Sequence, residues 1–280
     1  MLERGTITIE GYELTYRIEG NGIPVLVIGS EAFYPPLFSP SIRDRLKLIH
    51  INHRGFSRTP RSGTTPITLD VIISDIETIR EVLQLKQFIL VGHSGHAFMA
   101  AAYALKYPKR VRKLVLLNTA PTNSSERIAE SAAAFEQYAE PERKQQYEQD
   151  MARLPVDIEN DPDRRFAHTC IRMAAQSFYD YTYNASPLWE QLYTNMPILD
   201  YLWGEAFGQV NLLDQLNALE MPTLLGLGRH DYLVGPVSLW DEIEAKKPLL
   251  KKVIFEQSGH YPMLEEPELF NQEFLNWIVS

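Results

Sequence analysis

The sequence predicts an α/β protein: a doubly wound, mostly parallel eight-stranded sheet with an inserted helical cap. Three observations carry this. Six short apolar runs lack strict alternation, the pattern of parallel strands buried on both faces. Amphipathic helical patterns separate several of these runs, and strand–helix alternation of that kind builds a doubly wound sheet. The alternation then lapses over residues 121–214, where helix-like pieces follow one another without a convincing strand.

In chain order, Thr6–Glu10 and Tyr12–Ile18 alternate apolar and polar residues around Gly11, which predicts an antiparallel hairpin half-exposed at a sheet edge. The apolar runs are Val25–Ile28, Leu46–Ile51, Phe88–Val91, Leu114–Leu117, Thr223–Leu227 and Lys252–Phe255. Helices are predicted over Leu69–Leu85, capped by Thr68 or Asp70, over Ala97–Tyr107 ahead of Pro108, over Val237–Lys246, and over Pro267–Val279. Ser125–Tyr138, Pro141–Leu154, Asp163–Tyr183 and Pro187–Tyr193 are the helical pieces of the cap. The expected division is a core of residues 1–120 and 215–280 and a cap of residues 121–214.

Composition narrows the function classes. The chain has 280 residues, 45% of them hydrophobic, enough for one sizeable core. A net charge of −9 and a pI near 5.3 argue against nucleic acid or an anionic membrane as the main partner. The single cysteine, Cys170, excludes an intrachain disulfide. No apolar signal region opens the sequence and no run nears the roughly 18–20 apolar residues of a membrane span, so a cytoplasmic, soluble protein, monomer or homodimer, is expected. Between Pro121 and Leu212 there are 15 Asp/Glu against 7 Lys/Arg, so most of the negative charge sits in the cap. That charge either keeps a surface solvated or favours cationic and amine-bearing substrates.

Chemistry centres on Val91-Gly92-His93-Ser94-Gly95-His96, a tight small-residue turn between an apolar run and a helix. Such a turn presents one side chain at its apex, here Ser94, in the manner of a nucleophile elbow. A serine hydroxyl attacks only if a base takes its proton and a third group orients that base. In open α/β sheets the partners belong on loops at the carboxyl ends of strands. Of the seven histidines only His260, in Ser258-Gly259-His260, follows the last run. The sixth strand is followed by Asn118-Thr119-Ala120-Pro121, without a carboxylate, whereas the seventh is followed by Gly228-Arg229-His230-Asp231. The order nucleophile, acid, histidine therefore selects Asp231.

With these motifs, and with the loop His53-Arg54-Gly55-Phe56-Ser57-Arg58-Thr59, the chain resembles the α/β-hydrolase superfamily with a helical cap over nearly its whole length. The resemblance implies a serine hydrolase with catalytic Ser94, Asp231 and His260 and an oxyanion hole of backbone N–H groups. It departs from the family pattern twice. The elbow usually reads Gly-x-Ser-x-Gly, and the last glycine is here His96, either a donor facing the pocket or a spacer on the helix side. Many members have a His-Gly pair after the third strand, where this chain has Gly29-Ser30-Glu31-Ala32. By position the amides of Gly95 and Glu31 would hold the oxyanion, with Ser30 as the fallback, and the Glu31 carboxylate is expected to point away or bind a substrate amine.

The expected reaction is hydrolysis of a small carboxylic ester, thioester or amide, with no metal or organic cofactor, since no cluster has ligand spacing and no phosphate loop is present. A proline iminopeptidase-like aminopeptidase is the alternative, with Glu205 as a group for the free amine. Against it, the family's His-Gly-Gly-Pro-Gly and Gly-Gly-Ser-Trp-Gly stretches are absent. A ligand-binding signalling protein with a slow triad is an alternative of another class. His96, Tyr179, Tyr183, Trp203 and Glu205 are the candidate pocket residues; the cap aromatics serve either as a pocket lid or as cap-on-core packing.

Overall fold

A strand sends successive side chains to opposite faces, so a run that is apolar throughout is stable only where both faces are covered. This protein follows that rule, in a computed structural model that describes residues 2–60 and 66–279, apart from the side chain of residue 244. Strands β1 (Leu2–Ile9), β2 (Tyr12–Gly20), β3 (Ile23–Gly29), β4 (Leu46–Asn52), β5 (Phe88–His93), β6 (Val111–Leu117), β7 (Thr223–Gly228) and β8 (Leu250–Phe255) form one sheet in the order β1-β2-β4-β3-β5-β6-β7-β8. β1–β2 and β2–β4 are antiparallel; every other pairing is parallel. In β3, Leu26 and Ile28 enter one apolar layer and Val25 and Val27 the other; in β5, Leu90 and Val91 divide likewise.

Helices cover both faces. α1 (Leu69–Val82) follows β4, and Thr68 caps it by accepting from the Val71 N–H at 3.2 Å. α2 (His96–Lys106) connects β5 to β6. Between β6 and β7 the described residues form no strand. They form α3 (Ser125–Tyr138), α4 (Pro141–Met151), α5 (Leu154–Asn160), α6 (Arg165–Arg172), α7 (Ala174–Ser177), α8 (Ser186–Trp189), α9 (Met196–Gly204) and α10 (Leu212–Ala218). α11 (Asp241–Lys246) follows β7, and α12 (Pro262–Glu265) and α13 (Pro267–Val279) follow β8. No described helix is long and apolar enough to cross a membrane.

Several expected helices divide. The stretch Val237–Lys246 begins as a 3-10 turn, Val237–Trp240, and continues as α11. The single helix expected over Asp163–Tyr183 becomes α6, α7 and a loop. The buried Arg143 of α4 explains its end: the guanidinium donates to the carbonyls of Ala175, Phe178 and Tyr179 at 2.6–2.9 Å, holding free the groups that a continuing helix would use. α9 and α10 lie beyond the last cap helix that periodicity predicts. The expected 214/215 boundary falls inside α10, whose Leu212 and Leu216 share an apolar layer with α2.

Candidate active site

The β5–α2 turn is held open by backbone geometry. Ser94 takes the left-handed conformation, φ +57°, an uncommon state for a residue with a side chain and one that concentrates at functional sites. Its N–H donates to the Leu117 carbonyl at 2.9 Å and its carbonyl accepts from Ala97 N–H at 3.0 Å, which fixes the turn between β6 and α2. A Cβ on Gly92 would lie 2.5 Å from the His96 carbonyl oxygen and 2.7 Å from Ala100 Cβ, so α2 can leave the strand at this angle only over a glycine. Ser94 lines a cavity of about 260 Å³, and so does His260.

His260 stands on the β8–α12 loop. Its Nδ1 lies 2.7 Å from Asp231 Oδ2, and both groups are buried. The carboxylate has two further donors. Asp231 Oδ1 accepts from Leu233 N–H at 3.1 Å, and Oδ2 accepts from Asn118 Nδ2 at 2.9 Å. The same Asn118 amide donates to the Gly259 carbonyl at 2.8 Å, so one side chain ties the acid's loop to the histidine's loop. Sequence reasoning passed over Asn118 because it sought only a carboxylate after β6; a polar residue directly after the apolar run Leu114–Leu117 was the available signal. Glu265 was missed too. Its carboxylate accepts from the N–H groups of Gly259, Tyr261 and Tyr179 at 2.6–3.2 Å, and burial pushes its pKa up to about 7 against those bonds.

Opposite lies a buried chain of imidazoles. His53 Nδ1 accepts from Gly55 N–H at 3.0 Å, so the neutral ring carries its proton on Nε2 and donates to His96 Nε2 at 3.1 Å. His96 therefore bears its proton on Nδ1 and donates to Tyr34 Oη at 2.8 Å. The Tyr34 hydroxyl donates in turn to His93 Nδ1 at 3.2 Å. His93 Nε2–H closes the chain on the His260 carbonyl at 2.7 Å. A backbone donor at one end and a backbone acceptor at the other thus set every tautomer with all three histidines neutral. Burial acts in the same direction, lowering His53 to about 3 and His93 and His96 well below the usual histidine range.

His96, expected either as a donor facing the pocket or as a helix-side spacer, lines the cavity, but its Nδ1–H is given to Tyr34 and its Nε2 accepts from His53, so the ring offers the cavity no free donor. Space for it comes from β3: a Cβ on Gly29 would meet Tyr34 Cε2 at 2.3 Å and His96 Cε1 at 3.0 Å, and Gly29 itself has φ +141°. Glu31 requires a correction. Its N–H donates to Asn52 Oδ1 at 2.7 Å and the residue does not line the cavity, so its amide is engaged elsewhere. Ser30 does line it, with its hydroxyl accepting from the N–H groups of Ala32 and Phe33 at 3.2 Å. Gly95 lines it as well.

Among the candidate cap residues, Trp203 lines the cavity, edge-on to His96 with ring centroids 5.6 Å apart. Tyr179, Tyr183 and Glu205 do not. Tyr179 is exposed, with its amide on Glu265 and its carbonyl on Arg143. Tyr183 stacks on Phe178 at 4.3 Å, and Glu205 is exposed at the end of α9. Cys170 lines the cavity, and burial pushes its thiol up to about 12.

A family model described as alpha/beta hydrolase fold matches residues 21–267. The chain is 50% identical over 279 residues to the AB hydrolase superfamily protein YclE of Bacillus subtilis, covering 99% of each chain. It is 25% identical to a proline iminopeptidase of Heyndrickxia coagulans, over 99% of this chain and 100% of that one. An esterase from Exiguobacterium antarcticum superposes with a TM-score of 0.70 at 20% identity, over 98% of this chain and 99% of the other.

Proposed function

The chain belongs to the alpha/beta hydrolase fold family, and within it we propose a serine hydrolase that cleaves a small carboxylic ester, thioester or amide through an acyl-enzyme on Ser94. The observation that carries the reading is the Asp231–His260 pair, 2.7 Å apart, whose histidine lines the same cavity as Ser94. The helices from α3 to α9 act as its cap.

In this reading Asp231 accepts the Nδ1 proton of His260 and leaves Nε2 as the base. His260 takes the hydroxyl proton as Ser94 Oγ attacks the carbonyl carbon. The N–H groups of Gly95 and Ser30 hold the oxyanion, each donor being worth roughly 3 kcal/mol in the transition state. The imidazolium returns its proton to the leaving group, and the acyl-enzyme forms. Water, deprotonated by the same nitrogen, then releases the acid and restores Ser94. Asn118 supports this cycle by holding Asp231 Oδ2 and the Gly259 carbonyl together. The cavity, just below the roughly 300–1,000 Å³ usual for small-molecule sites, favours a substrate of modest size.

A proline iminopeptidase-like activity is the second reading, favoured by the full-length relative of that name. Opposed to it is the cavity wall, which among the described residues includes no Asp or Glu to receive a free amine. A fluorophosphonate probe should label the wild-type protein at Ser94 and leave Ser94→Ala unlabelled. A panel of short p-nitrophenyl esters, thioesters, anilides and Pro-arylamides then ranks the two. Proline release without ester cleavage would reverse the order, and turnover by Ser94→Ala would overturn the serine mechanism itself.

A further inference from the structure

One charged side chain, Arg127, lines the cavity outside any ion pair of the described residues, with Asp231 and Glu130 the opposite charges that act on it from farther off. Among the described residues that line it, Arg127 is the single Lys, Arg, Asp or Glu. Arg127 stands in the first turn of α3, where the helix dipole disfavours a cation and favours an anion. Its guanidinium is held by neutral acceptors: Nε donates to the Thr122 carbonyl at 3.1 Å, Nη1 to the Leu233 carbonyl at 2.9 Å and Ser131 Oγ at 3.3 Å, and Nη2 to Asn123 Oδ1 at 2.6 Å. These bonds use four of the five guanidinium protons and leave one on Nη2. Among the described residues no carboxylate lies within ion-pair distance of it. The nearby Asp231 is committed to His260, Asn118 and the Leu233 N–H.

Arg127 is half-buried, and a charge drawn partly out of water is ordinarily neutralised by a partner; here Phe98, Phe166, Trp203 and Phe207 face the same space. Four neutral acceptors fix the fork in place without cancelling its charge, which is how a preorganised anion receptor is built. Thr122 and Asn123 line the cavity beside it, and Ser94 and His260 line the same enclosure.

We propose that Arg127 receives a carboxylate of the substrate, so that the molecule cleaved at Ser94 is an ester, thioester or amide bearing a carboxylate on its acyl or leaving part. The single remaining Nη2 proton suits one carboxylate oxygen, and the full cationic charge acts on the group as a whole. The inference rests on the serine hydrolase reading and gives it a substrate class opposite in charge to the one the acidic cap suggests.

The test compares isosteric pairs. The phenyl hemi-ester of glutaric acid is set against phenyl valerate, placing the carboxylate on the acyl side. 4-Acetoxybenzoate is set against 4-acetoxytoluene, placing it on the leaving group. The wild-type protein should prefer the charged member of at least one pair in kcat/KM. In Arg127→Gln that charged-to-neutral ratio should fall about 10- to 100-fold, mainly through KM, as expected for losing a hydrogen bond to a charged group. Arg127→Lys should recover part of it. A purely structural role would lower both members alike and leave the ratio unmoved, and that result, or a wild-type protein indifferent to the carboxylate, would overturn the proposal. A second measurement separates it from the catalytic reading. In Ser94→Ala, 4-phenylbutyrate should raise the melting temperature, and in Ser94→Ala/Arg127→Gln it should not. Stabilisation that persists without Arg127 counts against the proposal whatever Ser94 does.

Discussion

The two flanks of Ser94 are built on different principles. Toward β7 and β8, Asp231 and His260 meet on loops at strand ends, and a third loop supplies Asn118, which donates to Asp231 and to the Gly259 carbonyl beside His260. Toward β3 and β4, four rings join His53, His96, Tyr34 and His93 in one directional chain that ends on the His260 carbonyl. The first flank sets a carboxyl group against an imidazole. The second is neutral throughout and holds shape. Both flanks touch His260, one through its ring and the other through its backbone, so the imidazole is fixed from two sides.

Substitutions can break that contrast, and the largest effect belongs to the first flank. Ser94→Ala should lower kcat by about 10⁴–10⁶-fold while the melting temperature stays within a few degrees of the parent. Asp231→Asn should cost about 10³–10⁴-fold, because the amide removes the charge and permits the wrong His260 tautomer. Steady-state kinetics on one ester decides both. An Asp231→Asn enzyme within tenfold of wild type would mean that the pair is scaffold rather than chemistry.

The second flank should respond in stability before rate. Tyr34→Phe removes the hydroxyl that joins His96 to His93 and leaves both buried nitrogens without it. The expected cost is about 1–3 kcal/mol, a fall of several degrees in melting temperature. Turnover should drop far less than in Asp231→Asn, because His260 keeps its ring partner. The reverse pattern, intact stability with abolished turnover, would place the imidazole chain inside the reaction and erase the distinction between the flanks.

The same contrast explains what the sequence made legible. Runs such as Val25–Ile28 announce their strands because burial on both faces permits no alternation, and loops at strand ends follow from the order of those strands. Asp231 and His260 were therefore readable. His96 and the stretch Gly29-Ser30-Glu31-Ala32 were readable only as departures from a family pattern. Their relation is spatial: the ring at 96 and the tyrosine at 34 occupy the room that a side chain at 29 would fill, so two exceptions far apart in sequence form one arrangement. Pocket membership was least legible. Trp203 faces in while Tyr179 and Tyr183 do not, a choice made by the buried Arg143 holding the carbonyls after α7 and by stacking on Phe178. Charge misled in a similar way. The acidic excess of residues 121–212 is a sum over the segment, while the cavity meets only one of its charged groups, Arg127.

A smaller effect extends the comparison beyond the site. His50 of β4 is buried, and neither ring nitrogen has a hydrogen-bond partner among the described residues. Burial, aided by Arg43 and Arg17, lowers its pKa to about 3, so the folded protein keeps the ring neutral while the unfolded chain titrates near 6.5. The unfolded state thus binds the extra proton between those values. The stability is fully present above about pH 6.5 and is lost as pH falls toward 3, at up to about 1.4 kcal/mol per pH unit for this group. His53 behaves the same way, but its ring is also tied into the chain of the second flank. His50→Leu isolates the solitary case. It removes two unpaired polar atoms, which should leave neutral-pH stability equal or higher, and it should flatten the fall in urea midpoint between pH 7 and pH 5. Should the variant and its parent lose stability equally over that interval, the acid sensitivity belongs to the hydrogen-bonded imidazoles beside Ser94, and the neutral flank becomes the part of the fold that protons open first.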